Sequence, residues 1–541
     1  MPVLLVGDKT PVEACRPTEQ APNIPSQPSR RERLFHALNK PSVFLPLLTL
    51  VSLLIHGYHP YVDDAAIYVA GIEKVIHPSL FPTHAEYVLP HLRHSLFSFA
   101  LGWLIRSLHV RLSYALFVTY LASLWLMLFA CWRLTCLLFT RPTERWGAML
   151  LMTSALTLPV VGSAIFFIDP YLTARSFSTP ATILAIAYIL EHRVLRSILC
   201  LAAAFVLHPL MAAYAIGYVL ALVLLRRRSW GWLAALVVPV LALGVIASHA
   251  GNLLGSSPEY RAAAVSRSYF FLGHWAWFEV FGIFPPLAAA FIYWARRDFQ
   301  LKSRYSLVSA ANLYVGGVAL VFAVFFARTD GSFILARLQP LRAFQLIYIL
   351  FFLLLGSTLG EYVLRRRWWA WVVCFTAIAG LMFTVQICTY PSLAHIEWPG
   401  IASKNPWERA FLWIRENTPR DALFALDPYY QQQPQEDTIG FRAMAQRSVL
   451  ADWSKDGGVA AIYPAVAQKW WNQVTTVRNF SAWNDRQRIQ ALAPYRVSWI
   501  VLPRNAVTHF DCPYSNSAVR VCRLPSSGQK PAPSSAPLPS E

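Results

Sequence analysis

The chain carries little charge for its length. Of 541 residues only 14% are Asp, Glu, Lys or Arg, against 56% hydrophobic, which excludes both a soluble globular protein of this size and a disordered one. Acid is scarcer than base, 28 residues against 47, for a net charge of +19. The bases come in clusters between apolar runs, so the excess reports membrane topology, and no nucleic-acid partner is expected. No glycine-rich phosphate loop and no Gly-x-Ser-x-Gly elbow occurs, which argues against nucleotide-driven and serine-hydrolase chemistry. The eight cysteines show no metal-ligand spacing. Cys131, Cys136, Cys200, Cys374 and Cys388 fall in or beside apolar runs and read as packing residues. Cys512 and Cys522 lie in a polar stretch and would close a short hairpin in an oxidising compartment; the sequence leaves that pairing open. Residues 1–40 are polar, basic and rich in Pro, without the apolar core of a cleavable signal, so the first apolar run is expected to be a retained anchor.

What is present is a series of long apolar runs. A spanning helix needs about 20 such residues, and about eleven segments qualify. They lie at 42–58, 113–137, 147–168, 177–191, 196–208, 210–225, 230–249, 276–294, 305–327, 341–360 and 368–390. Basic clusters fall in every second connection: Arg30, Arg31, Arg33 and Lys40, then Arg133, Arg141 and Arg145, then Arg193 and Arg196. They continue at Arg226–Arg228, at Arg296, Arg297, Lys302 and Arg304, and at Arg365–Arg367. Because short cytoplasmic loops hold an excess of Lys and Arg, the N-terminus is expected inside and the C-terminus outside. Residues 95–112 are apolar but short and carry Arg106 and Arg111, so they read as an interfacial helix. The two short runs around His208-Pro209 read as a half-depth hairpin lining a protein cavity.

The expected organisation is a disordered cytoplasmic tail (1–40), a membrane domain (41–390) whose first external loop spans 58–112, an extracytoplasmic α/β domain (391–525) and a disordered tail (526–541). In the α/β domain, WERAFLWIREN reads as an amphipathic helix stopped by NTP. ALFAL, SVLADW and VSWIVLP read as strands, and AVAQKWWNQVT and DRQRIQAL as helices between them.

Chemistry concentrates at acids on the expected external face. Asp63 and Asp64 directly follow the first span, in GYHPYVDDAAIYVAGIEK. One Asp there would cap the following helix, but adjacent residues point about 100° apart and cannot both cap. The other reading is that one carboxylate faces a cavity as a general base, or helps to hold a divalent cation near a phosphate. Asp169, in FFIDPYLTARSFSTP, is either a turn-forming Asp-Pro or a third carboxylate on that face. Anion-binding candidates share the face: Arg175, His208, Arg328, Arg337 and Arg342. Arginines there run against the topology bias. Any one could snorkel to lipid headgroups, but a cluster points to a lipid-linked phosphate, which the planar guanidinium binds through paired hydrogen bonds. His56, His59, His84, His91 and His94 read as interfacial polar residues.

With these features in order, the chain resembles the C-type (GT-C) polytopic glycosyltransferases, the group holding protein mannosyltransferases and aminoarabinose transferases. The resemblance rests on Tyr61-Val62-Asp63-Asp64 after the first span, interfacial helices completing that loop, Asp169-Pro170-Tyr171-Leu172-Thr173, the paired short runs at His208-Pro209 and an external C-terminal domain. It departs in having Asp-Asp where relatives commonly pair Asp with Glu, and His208 where a Lys often stands. The resemblance implies an inverting, multi-pass enzyme of a bacterial inner membrane that moves a sugar from a polyprenyl-phosphate donor to a glycan, lipid or protein acceptor. Asp63 or Asp64 would act on the acceptor hydroxyl with Asp169 in support, the three holding Mg²⁺ or Mn²⁺ where a metal is used. Arg175, His208 and above all Arg337 and Arg342 would neutralise the donor phosphate. The rivals are a transporter or flippase of a lipid-linked sugar, against which the span centres are almost free of charge, and a non-catalytic membrane scaffold.

Overall fold

In a low-dielectric surrounding only a helix satisfies every backbone amide within its own segment, so long apolar runs dictate helices. The computed structural model describes residues 40–226, 242, 244–246, 257–296, 303–329 and 333–525. Its helices begin with α1 (Pro41–His56), α2 (Ala65–Ile76), α3 (Leu96–Leu108), α4 (Leu112–Leu138) and α5 (Pro142–Ser154). A hairpin of β1 (Pro159–Val160) and β2 (Ile165–Phe166) follows, then α6 (Arg175–Leu190), α7 (Val194–Leu207) and α8 (Pro209–Arg226). Next come α9 (Trp277–Ala295), α10 (Arg304–Phe326), α11 (Pro340–Leu364) and α12 (Trp368–Thr389). Of these described helices, α4, α8, α9, α10, α11 and α12 are long and apolar enough to cross a membrane, while α1, α3 and α7 are apolar but shorter. Within its most apolar stretch α11 is 72% buried and α9 and α12 only 17%, so α11 is central and the other two turn apolar surface outward as lipid-facing helices do. The segment expected to span at 230–249 falls almost wholly outside the described residues, as do both tails.

One expected span is not a single helix. The apolar run 147–168 ends its helix at Ser154, and the chain then folds back as the β1–β2 hairpin, Pro159 opposite Phe166 and Val160 opposite Ile165. The cause is local: Pro159 lacks the amide a helix needs, and Gly162 takes φ 51°, which turns the chain. Hydrophobicity alone cannot separate such a buried hairpin from a helix.

The C-terminal region follows its patterning. The helix α13 (Pro406–Asn417) is capped by Asn405, whose side chain accepts from the amides of Trp407 and Glu408, and it ends before Pro419. It packs on a five-stranded mixed sheet of order β4-β3-β5-β7-β6, built from β3 (Leu423–Ala425), β4 (Ser448–Val449), β5 (Trp499–Pro503), β6 (Tyr514–Ser515) and β7 (Val519–Arg523). β3 runs parallel to β4 and β5, and β7 antiparallel to β5 and β6. The helices α14 (Lys455–Ile462) and α15 (Ala467–Thr476) precede β5, and a disulfide joins Cys512 to Cys522.

This sheet region shares its core with the loop after α1. Val62, Ala65 and Tyr171 are buried together with Phe411, Phe424 and Ile439. Val62 pairs with Ile439 as an antiparallel bridge, in which the Asp63 amide donates to Thr438 O at 3.0 Å and the Gly440 amide to Tyr61 O at 2.9 Å. Only glycine fits at 440, since a Cβ there would lie 2.1 Å from the Cβ of Ala66 in α2. Gly440→Ala is therefore expected to push α2 off the seam and lower stability by about 1–3 kcal/mol. Gly273→Ala, which would meet nothing within 4 Å, should leave it unchanged. Thermal denaturation of the purified proteins decides; equal melting temperatures for the two would contradict this packing.

Candidate active site

The bridge at Val62 sets the two acids. Asp63 sits in the left-handed region at φ 48°, a conformation that Asp and Asn tolerate better than most residues, and Asp64 follows at the N-cap position of α2. Neither performs the capping role. Asp64 makes no side-chain cap bond; its Oδ2 accepts from Arg175 Nη2 at 2.8 Å, and its Oδ1 lies 3.6 Å from Lys455 Nζ. Asp63 Oδ1 accepts from Lys455 Nζ at 2.9 Å and Oδ2 from the Tyr390 hydroxyl at 3.0 Å. About a third of each acid's side-chain surface, 28% for Asp63 and 32% for Asp64, stays open.

Asp169 joins them through Arg175, the first residue of α6. Its Oδ2 accepts from Thr173 Oγ1 at 2.9 Å and from Arg175 Nε and Nη2 at 3.2 and 3.0 Å, while its buried Oδ1 has no partner. Arg175 thus bridges Asp64 and Asp169, and Lys455 bridges Asp63 and Asp64. Burial alone would raise the Asp64 carboxyl, but Arg175 and Lys455 overcome it and hold that group well below the usual carboxylate range. Burial would likewise lower the Lys455 ammonium, and the two aspartates instead push it above its ordinary value. Asp169, more enclosed, is pushed up by burial with Asp64's charge adding, despite Arg175.

These groups open onto a cavity of about 720 Å³. Asp63, Asp64, Arg175 and Lys455 line it together with Arg267, Arg342 and Gln339. Val160, Ile165, Phe166, Leu207 and Leu210 supply apolar wall, so the hairpin that replaced the third span and the α7–α8 turn both serve the cavity. Arg267 donates to Trp453 O and Ser454 O, each at 2.7 Å. Arg342 donates to Ser163 O at 3.3 Å and lies 5.1 Å over the Tyr269 ring. Among the described residues neither arginine forms a salt bridge. Gln339 is 2% exposed, and among the described residues both polar atoms of its side-chain amide lack a partner. A buried amide so placed costs stability unless something entering the cavity satisfies it.

Of the residues picked out from sequence, Asp63, Asp64, Arg175, His208 and Arg342 line this one cavity, with Asp169 directly behind Arg175. Arg337 does not line it; its Nη1 donates at 3.1 Å to the carbonyl of Ile462, the last residue of α14, of which Lys455 is the first. His208 lines it without charge: burial, then Arg175 and Arg342, push its pKa down to about 3, so it offers a neutral ring and not a cation. Lys455, Arg267, Gln339 and Tyr390 gave no signal in sequence, each being a single polar residue remote in the chain from the aspartates with which it shares the site. The residues expected to hold Mg²⁺ or Mn²⁺ do not fit one. Asp63 Oδ1 is taken by the Lys455 ammonium, Oδ2 of both Asp64 and Asp169 by the Arg175 guanidinium, and among the described residues no three His, Cys, Asp or Glu side chains come together as a ligand set.

Comparison with known proteins adds one finding: residues 405–477 match a domain of unknown function, DUF6798. The chain matches no curated protein. The matched segment includes α13, β3, β4, α14 and α15, and from it Lys455 reaches the cavity.

A buried carboxyl of α2 meets this segment. Glu73 is 1% exposed and accepts from Gln446 Nε2 at 2.7 Å; burial pushes its carboxyl up to about 8 against that hydrogen bond. Burial also raises Glu397 to about 8, and Glu408 and Glu436 well above their usual range. An acid that stays protonated when folded and ionises when unfolded binds more protons in the fold, so its stabilisation is full below about pH 4.5 and declines as pH rises toward 8. Glu73→Gln keeps an acceptor for Gln446 and cannot ionise. Its melting temperature should fall less than that of the wild type between about pH 5 and 8, the Glu73 contribution to the slope being at most about 1.4 kcal/mol per pH unit. Identical slopes would contradict a protonated Glu73.

Proposed function

We propose that this chain is an inverting membrane glycosyltransferase that takes a sugar from a polyprenyl-phosphate donor and passes it to an acceptor hydroxyl on the extracytoplasmic face. One observation carries the reading. A carboxylate pair fixed by Arg175 and Lys455 shares a single cavity with two arginines that form no salt bridge, and with a side-chain amide that has no hydrogen-bond partner, among the described residues.

In this reading Asp64 orients and deprotonates the acceptor, because its Oδ1 has no cation nearer than 3.6 Å and can take a hydroxyl proton. The acceptor oxygen bonds to the anomeric carbon as the bond from that carbon to the phosphate oxygen breaks. The electron pair leaves with the lipid phosphate, and the hydroxyl proton passes to the carboxylate. Arg342 and Arg267 stabilise the charge growing on the departing phosphate, and the Gln339 amide pairs with the donor headgroup. The apolar wall at Leu207, Leu210 and Phe166 suits the first units of an isoprenoid chain. Asp63, held from both sides by Lys455 and Tyr390, positions its neighbour. The extracytoplasmic assignment draws support from the alternation of basic loops and from the Cys512–Cys522 disulfide, which persists in oxidising compartments.

The test is transfer by the purified chain from a panel of polyprenyl-phosphate sugars. Asp64→Asn should lower the turnover number by about 10²–10⁴-fold while the protein still folds, at a lower melting temperature because the ion pairs with Arg175 and Lys455 are lost. Arg342→Lys, which keeps charge but loses the planar fork, should weaken donor binding. Transfer by the wild type that persists equally in Asp63→Asn and Asp64→Asn would overturn the assignment. Movement of the intact donor across vesicles without transfer would favour a transporter.

A further inference from the structure

We propose that Lys455 takes the place of a divalent cation between Asp63 and Asp64, so that the DUF6798 segment completes the cavity by supplying a fixed ammonium where a metal would otherwise bind. For its consequence in catalysis this rests on the transferase reading; the electrostatic claim does not.

The ammonium stands 2.9 Å from Asp63 Oδ1 and 3.6 Å from Asp64 Oδ1, the facing oxygens of both carboxylates. A metal bridging those two oxygens would need the same space. Charge leads to the same conclusion: Arg175 and Lys455 already stand against Asp63, Asp64 and Asp169, and a dication added to that set would meet two fixed positive groups.

The position of Lys455 is built and not incidental. Asp452 caps the start of α14, its Oδ1 accepting from the amides of Lys455 at 2.6 Å and Asp456 at 3.2 Å. Arg442 Nη1 holds both oxygens of Asp456, at 2.7 and 2.9 Å, and Arg267 clamps the carbonyls of Trp453 and Ser454 just before the helix. Gly457 allows that clamp, since a Cβ there would lie 2.9 Å from Arg267 Nη2 and 3.0 Å from the Trp470 ring. The side chains of Asp452, Arg442 and Arg267, with a close approach at Gly457, therefore fix the start of the helix that carries Lys455 to the acid pair. An ammonium has three donors; one bonds Asp63 Oδ1 at 2.9 Å, Asp64 Oδ1 lies 3.6 Å away as an ion pair, and donor capacity is left for an oxygen of whatever occupies the cavity.

Removing the ammonium should expose two adjacent carboxylates to any available dication. The experiment measures Mn²⁺ uptake by electron paramagnetic resonance on the full chain in detergent, for wild type, Lys455→Ala, Lys455→Gln, Lys455→Arg and Lys455→Ala with Asp64→Asn. Wild type and Lys455→Arg should show no saturable site. Lys455→Ala and Lys455→Gln should each gain one Mn²⁺ per chain, and adding Asp64→Asn should remove it. Lys455→Gln fills the same space without charge and serves if the alanine variant does not fold. The proposal is overturned if the wild type binds Mn²⁺ at a site lost in Asp63→Asn or Asp64→Asn, or if neither neutral variant gains one. Should this pattern appear while no donor sugar is transferred, the ammonium assignment stands and the transferase reading alone falls.

Discussion

The backbone bridge at Val62 and Ile439 is the constraint on which the site depends. Asp63 can hold its left-handed backbone because its amide is tied to Thr438, and that tie is possible because Gly440 lets α2 lie against the chain. The same seam brings α14 over the acids, so Lys455 and the carboxylates meet although they are nearly four hundred residues apart in sequence. Loop and sheet region share one core, with Val62 and Tyr171 packed among Phe411 and Phe424. Fixed geometry of this kind is what an electrostatic site requires, because charges placed in advance need no reorganisation when a substrate arrives.

Charge is distributed unevenly across the cavity. On one flank each acid is matched: Asp63 to Lys455, Asp64 to Arg175 and Lys455, Asp169 to Arg175. On the other, Arg267 and Arg342 are held by backbone carbonyls and an aromatic face, and among the described residues neither forms a salt bridge. A guanidinium enclosed without a bonded carboxylate, as that of Arg342 is, is costly unless an anion spends time there. In the proposed reading a phosphate-bearing ligand takes this flank and a hydroxyl acceptor the other.

Much of the fold was legible where periodicity is long or turn chemistry explicit. The runs at 113–137, 305–327, 341–360 and 368–390 correspond to α4, α10, α11 and α12, and the strand and helix patterns after residue 405 correspond to α13, β3, β4, α15 and β5. The run at 147–168 misled because composition does not register a Pro-Gly hairpin inside an apolar stretch. For the site, acids close to the first span and arginines on loops stood out because such residues are rare in this chain. Lys455 did not, since one lysine in a polar segment carries no sign of its partner. Arg337 and Arg342 looked equivalent; Pro340 opens a new helical turn between them, and only Arg342 turns to the cavity.

The central claim, one cavity with an acid flank and a phosphate flank, is tested most directly by a cryo-electron microscopy structure of the full chain in nanodiscs with added polyprenyl phosphate. The account predicts phosphate density within hydrogen-bonding distance of Arg267 and Arg342, with the isoprenoid leaving along Leu207 and Leu210 and the space before Asp64 left for an acceptor. Lipid phosphate seated elsewhere on the protein, with this cavity occupied only by solvent, would contradict it.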